Sequence, residues 1–229
     1  MKKILKKTLA ILLLCMIVID VTPATAVHAK APSVQKDVKA WLYKGKVEKG
    51  YLFIQDSTLN GKITKLKNSK PSIAEVSAGT GGYLQVTPKA PGVTKVTFQY
   101  DKRKLTSKIT VVKWSSPCKE FKIGNKNYAK YFEKSGQYNL NKQKKDTAQK
   151  LKIAPKKGWK LIKIEQLTSD GGEKKIKNNS KVNLSIKMSG TGIFAYFKNA
   201  KTGEIRKLYF GYSSNPFASG NVYDCLVQE

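Results

Sequence analysis

The sequence predicts an all-β protein, because short segments in which apolar and polar residues alternate recur along most of its length. These segments are rich in β-branched and aromatic residues, and clusters of Gly, Pro, Asn, Ser and Asp separate them. Alternation with period two, interrupted about every ten residues by turn-forming clusters, is typical of a β-sandwich or a β-barrel. No segment shows a convincing helical period, and the polar stretch 141–150 is predicted to be a solvated loop.

Nine segments carry the strand signal. An uninterrupted apolar run marks 51–54 and 193–197, whereas alternation marks the others. In chain order the predicted strand segments are 51–54, 82–87, 93–98, 108–112, 151–153, 159–164, 181–186, 193–197 and 205–210. The glycine-rich stretch 79–82 precedes a strand rather than a helix and lacks the Lys-Ser/Thr pair of a phosphate loop, so it is predicted to be a hairpin turn.

The first 29 residues have the three parts of a secretory signal peptide. Four lysines precede an apolar run of eleven residues, 9–19, and a small-residue pattern at 24–29 follows. Cleavage is predicted between Ala29 and Lys30, with cleavage after Ala26 as the alternative. The other interpretation is a retained membrane anchor, but the apolar run falls short of the roughly 20 residues that a helix needs to cross a bilayer.

Cys15 raises a further alternative, which is lipid attachment. Leu14 stands before it where a small residue would be expected, and the apolar run continues to Ile19. Cys15 is therefore interpreted as part of the leader, and no transmembrane segment is predicted in the mature chain.

The mature chain is predicted to divide near 114–117, where a strand ends and a Ser-Ser-Pro turn follows. The predicted domains are 33–114 and 117–229, each close to the common domain size. Cys118 lies at the start of the second domain and Cys225 near its end, and two exported cysteines usually pair. The predicted disulfide would join the two ends of this domain and stabilise it by about 4–5 kcal/mol; two free thiols are the alternative.

The first half resembles a bacterial immunoglobulin-like (Big, group 2) domain. The resemblance is carried by 63–76, which contains Ser-Lys-Pro-Ser-Ile-Ala-Glu-Val, and by 86–96, which contains Val-Thr-Pro-Lys-Ala-Pro-Gly. It implies an Ig-like sandwich used at a cell surface for adhesion, spacing or polysaccharide contact, and it implies no catalytic residues. The second half, with Gly158-Trp159 before a strand and a hairpin at 199–204, is compatible with another Ig-like sandwich. The predicted fold is therefore two Ig-like β-sandwich domains in tandem after a signal peptide.

The inventory of reactive side chains excludes several kinds of site. The chain has one histidine, which lies in the leader, and three cysteines. A His-based triad, a His-rich zinc site or a four-Cys metal site cannot be assembled from them. No catalytic, cofactor-binding or metal-ligating residue is predicted. The remaining alternative is an enzyme with an unrecognised pair of catalytic carboxylates.

The charge of the chain points to polyanionic partners. Lys and Arg number 44 against 15 Asp and Glu, a net charge of +29, and removal of the leader lowers it to +26. Such a field attracts polyanions, but sequence-specific readers of nucleic acid rely on arginine, of which the chain has two. The candidate contact residues lie in three clusters: Lys102, Arg103 and Lys104; Lys142, Lys144 and Lys145; and Lys156 and Lys157.

The sequence thus predicts a secreted, cell-wall-associated, non-enzymatic protein without a cofactor. Its partner would be an anionic cell-wall polymer or glycan, or a surface protein, and not nucleic acid. In a competing interpretation the lysines only solvate the sandwiches and protect their edge strands. The alternative function is carbohydrate binding by exposed aromatic residues, for which Trp41, Trp114 and Trp159 are candidates, although packing would also explain them. The oligomeric state is not predicted.

Overall fold

The computed structural model describes residues 30–44, 48–58, 61–168, 170–187, 190–215 and 226–227, and almost all of its regular structure is β. The predicted all-β class is therefore confirmed. The predicted signal peptide, including Ala29 of its cleavage site, lies outside the described residues. Within the described part of the chain, no helix is long and apolar enough to span a membrane.

The first half folds into two facing sheets. Its strands are β1 (Ser33–Val34), β2 (Asp37–Leu42), β3 (Gly50–Gln55), β4 (Ile63–Asn68), β5 (Ala74–Ala78), β6 (Tyr83–Pro88), β7 (Gly92–Tyr100) and β8 (Arg103–Lys113). One sheet has the order β1-β3-β6-β5 and the other contains β2-β8-β7-β4. All pairs are antiparallel except β2 with β8, which run parallel. This is the strand arrangement of an immunoglobulin sandwich whose first strand is shared between the two sheets.

The second half repeats the same plan. Its elements are β9 (Cys118–Ile123), β10 (Lys126–Asn127), the short helix α1 (Ala129–Phe132), β11 (Gln137–Leu140), β12 (Thr147–Pro155), β13 (Trp159–Leu167), β14 (Glu173–Lys175), β15 (Lys181–Leu184), β16 (Thr191–Asn199) and β17 (Ile205–Tyr212). The sheets have the orders β10-β9-β12-β15 and β11-β17-β16-β13-β14, with β11 parallel to β17. The prediction of two Ig-like sandwiches is confirmed by this repeated topology.

Each sandwich has its own apolar core, because strand alternation turns every second side chain inward. Leu52, Leu84 and Phe98 are fully buried in the first core, and Phe121 and Phe197 are fully buried in the second. The two clusters share no residue, so each sandwich is stabilised by its own hydrophobic contacts.

Several strands, among them β2, β9 and β11, lie outside the nine predicted segments, and two further features differ from the sequence expectation. The polar stretch 141–150 is a loop only at its beginning, since β12 starts at Thr147 and pairs with β15. The first residues of β12 carry no large apolar side chain, so no alternation marked them as a strand. At the other end of the chain, β18 (Leu226–Val227) pairs with β2. Leu226 is buried in the first core, so the C-terminal strand of the predicted domain 117–229 joins the first sandwich.

The three tryptophans meet around one arginine at the junction of the sandwiches. The guanidinium carbon of Arg206, on β17, lies 4.5, 5.4 and 4.8 Å from the ring centres of Trp41, Trp114 and Trp159. Trp41 belongs to the first sandwich, Trp159 to the second, and Trp114 to the segment between them. Arg206 is only 8% exposed, which strengthens its attraction to the rings because water no longer screens it.

The polar groups of Arg206 are also satisfied. Its Nε and Nη2 donate to the two carboxylate oxygens of Glu204 at 3.2 and 3.4 Å, and its Nη1 donates to the backbone carbonyl and the hydroxyl of Ser115. Lys39 of β2 pairs with the same carboxylate at 3.5 Å. We call Arg206, the three tryptophans, Glu204 and Ser115 the Arg206 cluster. It joins the first sandwich, the connecting segment and the second sandwich through one side chain.

Cys118 is fully buried and carries a free thiol in the structure. The thiol donates to the carbonyl oxygen of Glu120 at 2.9 Å, and burial raises its pKa to about 12. Cys225 lies outside the described residues, so the pairing of Cys118 with Cys225 stays a prediction.

Replacing the central arginine is expected to destabilise the whole protein. The Arg206→Ala variant leaves a cavity between three rings and removes a charge partner of Glu204, so the free energy of unfolding should fall by about 3 kcal/mol. Urea unfolding followed by tryptophan fluorescence measures this change directly. Arg103→Ala is the matched control, because Arg103 is the only other arginine and is exposed; it should change stability by less than about 0.5 kcal/mol. Equal effects of the two substitutions would contradict the role given to the Arg206 cluster.

The cysteine pairing can be tested by alkylation of the mature, secreted protein. If Cys118 and Cys225 are joined, the protein unfolded without reductant should take up no label, whereas the reduced and unfolded protein should take up two. After reduction under native conditions, Cys118 should still react slowly at pH 8, because a buried thiol with a raised pKa is rarely ionised. Labelling of both cysteines without reductant, detected by mass spectrometry, would show that the disulfide is absent.

Candidate polyanion-binding grooves

Two grooves of the described surface each contain four or more lysines in their lining. The first, of about 750 Å³, lies beside β2, β7 and β8 of the first sandwich. Its lining contains six basic residues and one acidic residue, Asp37. The basic residues are Lys36, Lys70, Lys95, Arg103, Lys104 and Lys108. We call it the first groove; its lining has a formal charge of +5.

The register of the sheet places like charges opposite each other in this groove. Lys95 on β7 lies directly across from Lys108 on β8, and Asp37 on β2 lies on the other side of Lys108. Like charges directly opposite on a sheet are destabilising. An ion pair between Lys108 and Asp37 compensates one of the two lysines, whereas Lys95 has no ion pair with any described acidic side chain. The site therefore retains uncompensated positive charge.

The predicted cluster 102–104 surrounds the hairpin between β7 and β8. Tyr100 pairs with Arg103, so Asp101 and Lys102 form a two-residue turn, and both have positive φ, at 47° and 67°. The carboxylate of Asp101 accepts from the hydroxyl of Thr58 at 3.1 Å, which holds the tip in place. Arg103 and Lys104 line the first groove, whereas Lys102 does not.

The second groove, also of about 750 Å³, lies in the second sandwich. Four lysines and no acidic residue line it: Lys126, Lys142, Lys144 and Lys145. Its apolar floor includes Tyr128 and Tyr212, both of which are nearly buried. The Nζ of Lys126 lies 5.3 Å from the ring centre of Tyr128, so this ammonium is positioned by a cation–π contact.

Hydrogen bonds fix the loop that carries three of these lysines. The amide of Gln143 donates to the carbonyl oxygen of Ser213 at 3.0 Å, and the hydroxyl of Tyr212 donates to the carbonyl oxygen of Lys145 at 2.7 Å. The backbone is therefore held against the sheet while Lys142 and Lys144, which are exposed, extend from it. Such a loop loses little conformational freedom when a ligand binds.

The one acidic residue of this loop, Asp146, is occupied elsewhere. Its carboxylate accepts from the amide of Ile186 at 2.8 Å and from the hydroxyl of Ser185 at 3.1 Å. The hydrogen bond from Ile186, with a smaller contribution from Ser185, holds the pKa of Asp146 below its ordinary value. Asp146 does not line the groove, so its charge is bound to the β15–β16 segment rather than to the neighbouring lysines.

The third predicted cluster does not form a groove. The Nζ of Lys156 lies 2.5 Å from the carboxylate of Glu133, and Lys157 is exposed in the turn before β13. Neither lines either groove. Sequence reasoning also missed four lysines of the first groove and one of the second, because they lie apart in the sequence and no run of lysines marks them. They are Lys36, Lys70, Lys95 and Lys108, and Lys126.

Two of the predicted contact lysines adopt a backbone conformation that favours glycine. The φ angles of Lys102 and Lys142 are 67° and 61°, in the left-handed region that costs an L-residue about 1 kcal/mol. A strained residue at an exposed position is a reason to look for a function. For Lys142 that position is the lining of the second groove.

The tryptophans do not form an exposed carbohydrate platform, since they pack around Arg206. The described residues also contain no group of three His, Cys, Asp or Glu side chains that could hold a metal ion.

No family model and no curated protein matches the chain. Among solved structures it is similar to domains 4–9 of the surface layer protein SbsC, with 14% identity over 80% of this chain and 31% of that chain and a TM-score of 0.30. Domains EC1-3 of Drosophila N-cadherin match at 12% identity over 81% of this chain and 68% of that chain, with a TM-score of 0.29. The titin I9-I11 tandem matches at 10% identity over 80% of this chain and 66% of that chain, with a TM-score of 0.25. The chain thus spans less than a third of the SbsC structure. Superpositions with TM-scores this low carry no information on function.

Substituting glycine for Lys102 and for Lys142 should distinguish the effect of backbone strain on stability from the effect of a groove lysine on binding. Lys102→Gly and Lys142→Gly are each expected to raise the free energy of unfolding by about 0.5–1 kcal/mol, because glycine adopts positive φ without strain. Only Lys142→Gly removes a groove lysine, so only this variant should weaken binding of a polyphosphate chain at low salt. Urea unfolding and fluorescence titration measure the two effects. Loss of stability in both variants would contradict the backbone argument, and equal binding by both would contradict the role of the second groove.

Proposed function

We propose that the protein is a secreted, non-enzymatic surface protein that binds anionic polymers of the cell envelope through its lysine-lined grooves. The observation that carries the proposal is the first groove, where six basic side chains surround one carboxylate and five of the six have no ion pair with a described acidic residue. The signal peptide predicted at 1–29, and the charge of +26 that would remain after its removal, support the same function.

The residue types suit polymers of phosphate or carboxylate groups. An ammonium is a compact point charge that binds an anionic oxygen from many directions, whereas reading a base edge requires the fixed fork of a guanidinium. One of the two arginines, Arg206, is buried at the junction of the sandwiches and unavailable. Lysine-lined grooves therefore favour a flexible polyanion over a specific nucleic-acid sequence.

The expected affinity of one groove is low. An exposed charge pair contributes about 0.2–1 kcal/mol, so six contacts give about 3 kcal/mol, which is weaker than millimolar binding. Retention at a surface therefore depends on multivalency: many repeats of the polymer bind to both grooves of many copies of the protein. This origin of affinity makes binding sensitive to salt and to the length of the polymer.

We also propose that the first sandwich is a group 2 bacterial Ig-like domain. Its motif segments fall on β4–β5 and β6–β7, where the Ig plan places them. Gly92 of the motif has a φ of 148°, and a Cβ there would lie 2.7 Å from Cδ1 of Ile73. Gly92 is thus favoured by its backbone conformation, and a side chain there would also displace the end of the Ile73 side chain.

Retention on Gram-positive cell walls should be reversible by salt. The mature protein is expected to sediment with wall preparations at low ionic strength and to be released at several hundred millimolar salt, where the Debye length falls to a few ångströms. Long polyphosphate should compete better than short polyphosphate. Binding that is unchanged at high salt would refute the electrostatic proposal, and turnover of wall glycan that is abolished by a single Asp or Glu substitution would show an enzyme instead.

A paired substitution distinguishes a defined groove from diffuse positive charge. Lys95→Gln with Lys104→Gln removes two charges from the first groove. The control, Lys160→Gln with Lys198→Gln, removes two exposed charges that face each other across β13 and β16 and line neither groove. The groove variant should bind polyphosphate about tenfold more weakly than the control, as measured by fluorescence titration at low salt. Equal weakening by both pairs would mean that the net charge, and not the groove, holds the polymer.

A further inference from the structure

We propose that the first sandwich carries a second, independent binding site, for a neutral glycan chain, on the outer face of the sheet β1-β3-β6-β5. The site is formed by the rings of Tyr51, Phe53 and Tyr83, with Gln85 beside them. We call these four residues the aromatic face.

Strand alternation and register create this face. On β3, Leu52 points into the core while Tyr51 and Phe53 point outward, and Phe53 is 53% exposed. On β6, Tyr83 lies opposite Phe53 and Gln85 lies opposite Tyr51. Three aromatic rings are therefore gathered on a surface that the apolar core does not require.

The rings form a notch rather than a flat surface. Tyr51 and Phe53 have ring centres 6.4 Å apart and planes 37° apart. The ring plane of Tyr83 makes an angle of 82° with that of Tyr51 and 56° with that of Phe53, and its centre lies 5.4 and 5.9 Å from theirs. A sugar ring that stacks on one face would be bordered by the upright ring of Tyr83, so the shape suits a single glycan chain.

Gly79 holds Tyr83 in this position. A Cβ at Gly79 would lie 2.1 Å from the Tyr83 ring, so the glycine leaves the space in which the ring rests. The hairpin turn 79–82, which the sequence predicted, thereby leaves room for the Tyr83 ring of the aromatic face.

The side chains around the rings favour a neutral, hydroxyl-rich ligand. None of the four residues of the aromatic face is charged, in a chain of which 26% is charged. The amide of Gln85 makes no hydrogen bond to another described residue, and it can both donate to and accept from a sugar hydroxyl. Ser77 lies opposite Gln85 on β5 and is exposed, which extends the polar border.

The size of the face excludes a stable protein partner. Each aromatic side chain buries about 150–250 Å² at most, and these rings are already partly covered, so together they offer about 300 Å². A specific protein–protein interface needs about 800 Å² from each partner. The other exposed large apolar residues among those described, Val93, Ile162 and Ile205, have no comparable aromatic neighbours and are ordinary isolated exposures.

The test is titration of the mature protein with two neutral probes, the β-1,4-linked tetrasaccharides of N-acetylglucosamine and of glucose. At least one is expected to bind with millimolar affinity and to shift the signals of the aromatic face in NMR spectra. Phe53→Ala and Gly79→Ala should each weaken binding about tenfold, the first by removing a ring and the second by displacing Tyr83. Ile205→Ala is the matched control, since Ile205 is 52% exposed and should leave binding unchanged.

Salt separates this site from the grooves. Glycan binding should persist at high salt and in the Lys95→Gln, Lys104→Gln variant, whereas Phe53→Ala should keep its salt-sensitive binding of polyphosphate. Failure of both tetrasaccharides to bind, or binding that survives both aromatic-face substitutions, would overturn the proposal. A change of oligomeric state in Phe53→Ala, measured by sedimentation, would also overturn it, because the face would then be a contact between copies of this chain.

Discussion

The junction of the two sandwiches depends on one buried guanidinium. Arg206 contacts three tryptophan rings, a carboxylate and the segment between the domains. A planar cation can do this because its faces stack on rings while its edge donates hydrogen bonds, and a lysine in its place could do only one of the two. The hydrophobic cores stabilise each sandwich separately. The described residues from Pro32 onward belong to one compact unit, and the Arg206 cluster contacts both of its sandwiches.

Lysines face each other on the surface of the protein, although folding does not require these repulsive pairs. Lys95 faces Lys108, and Lys160 faces Lys198, across neighbouring strands. Sheets that only required solubility would intersperse the two signs of charge. An excess of one sign on rigid strands maintains a positive potential near the surface, and its range is set by the ionic strength of the surroundings.

The sequence predicted nine of the described strands because burial of one face imposes period two on the residues, as in 93–98 of β7. It predicted only part of the grooves. Arg103 and Lys104 could be found because they are adjacent in the sequence. Lys95 lies next to Lys108 only because of the strand register, and the alternation of residues shows which face of a strand is buried but not which strand pairs with it. The positive φ at Lys142 was also beyond the sequence, because lysine is not a residue that signals the left-handed region.

The position of β18 has a consequence for the order of synthesis. β18 follows the whole second sandwich along the chain, yet Leu226 lies in the core of the first sandwich. The first sandwich therefore cannot complete its packing until the second sandwich has been synthesised. Pairing of β2 with β18 closes a loop that contains the entire second sandwich, and contacts between residues so far apart in the sequence form slowly.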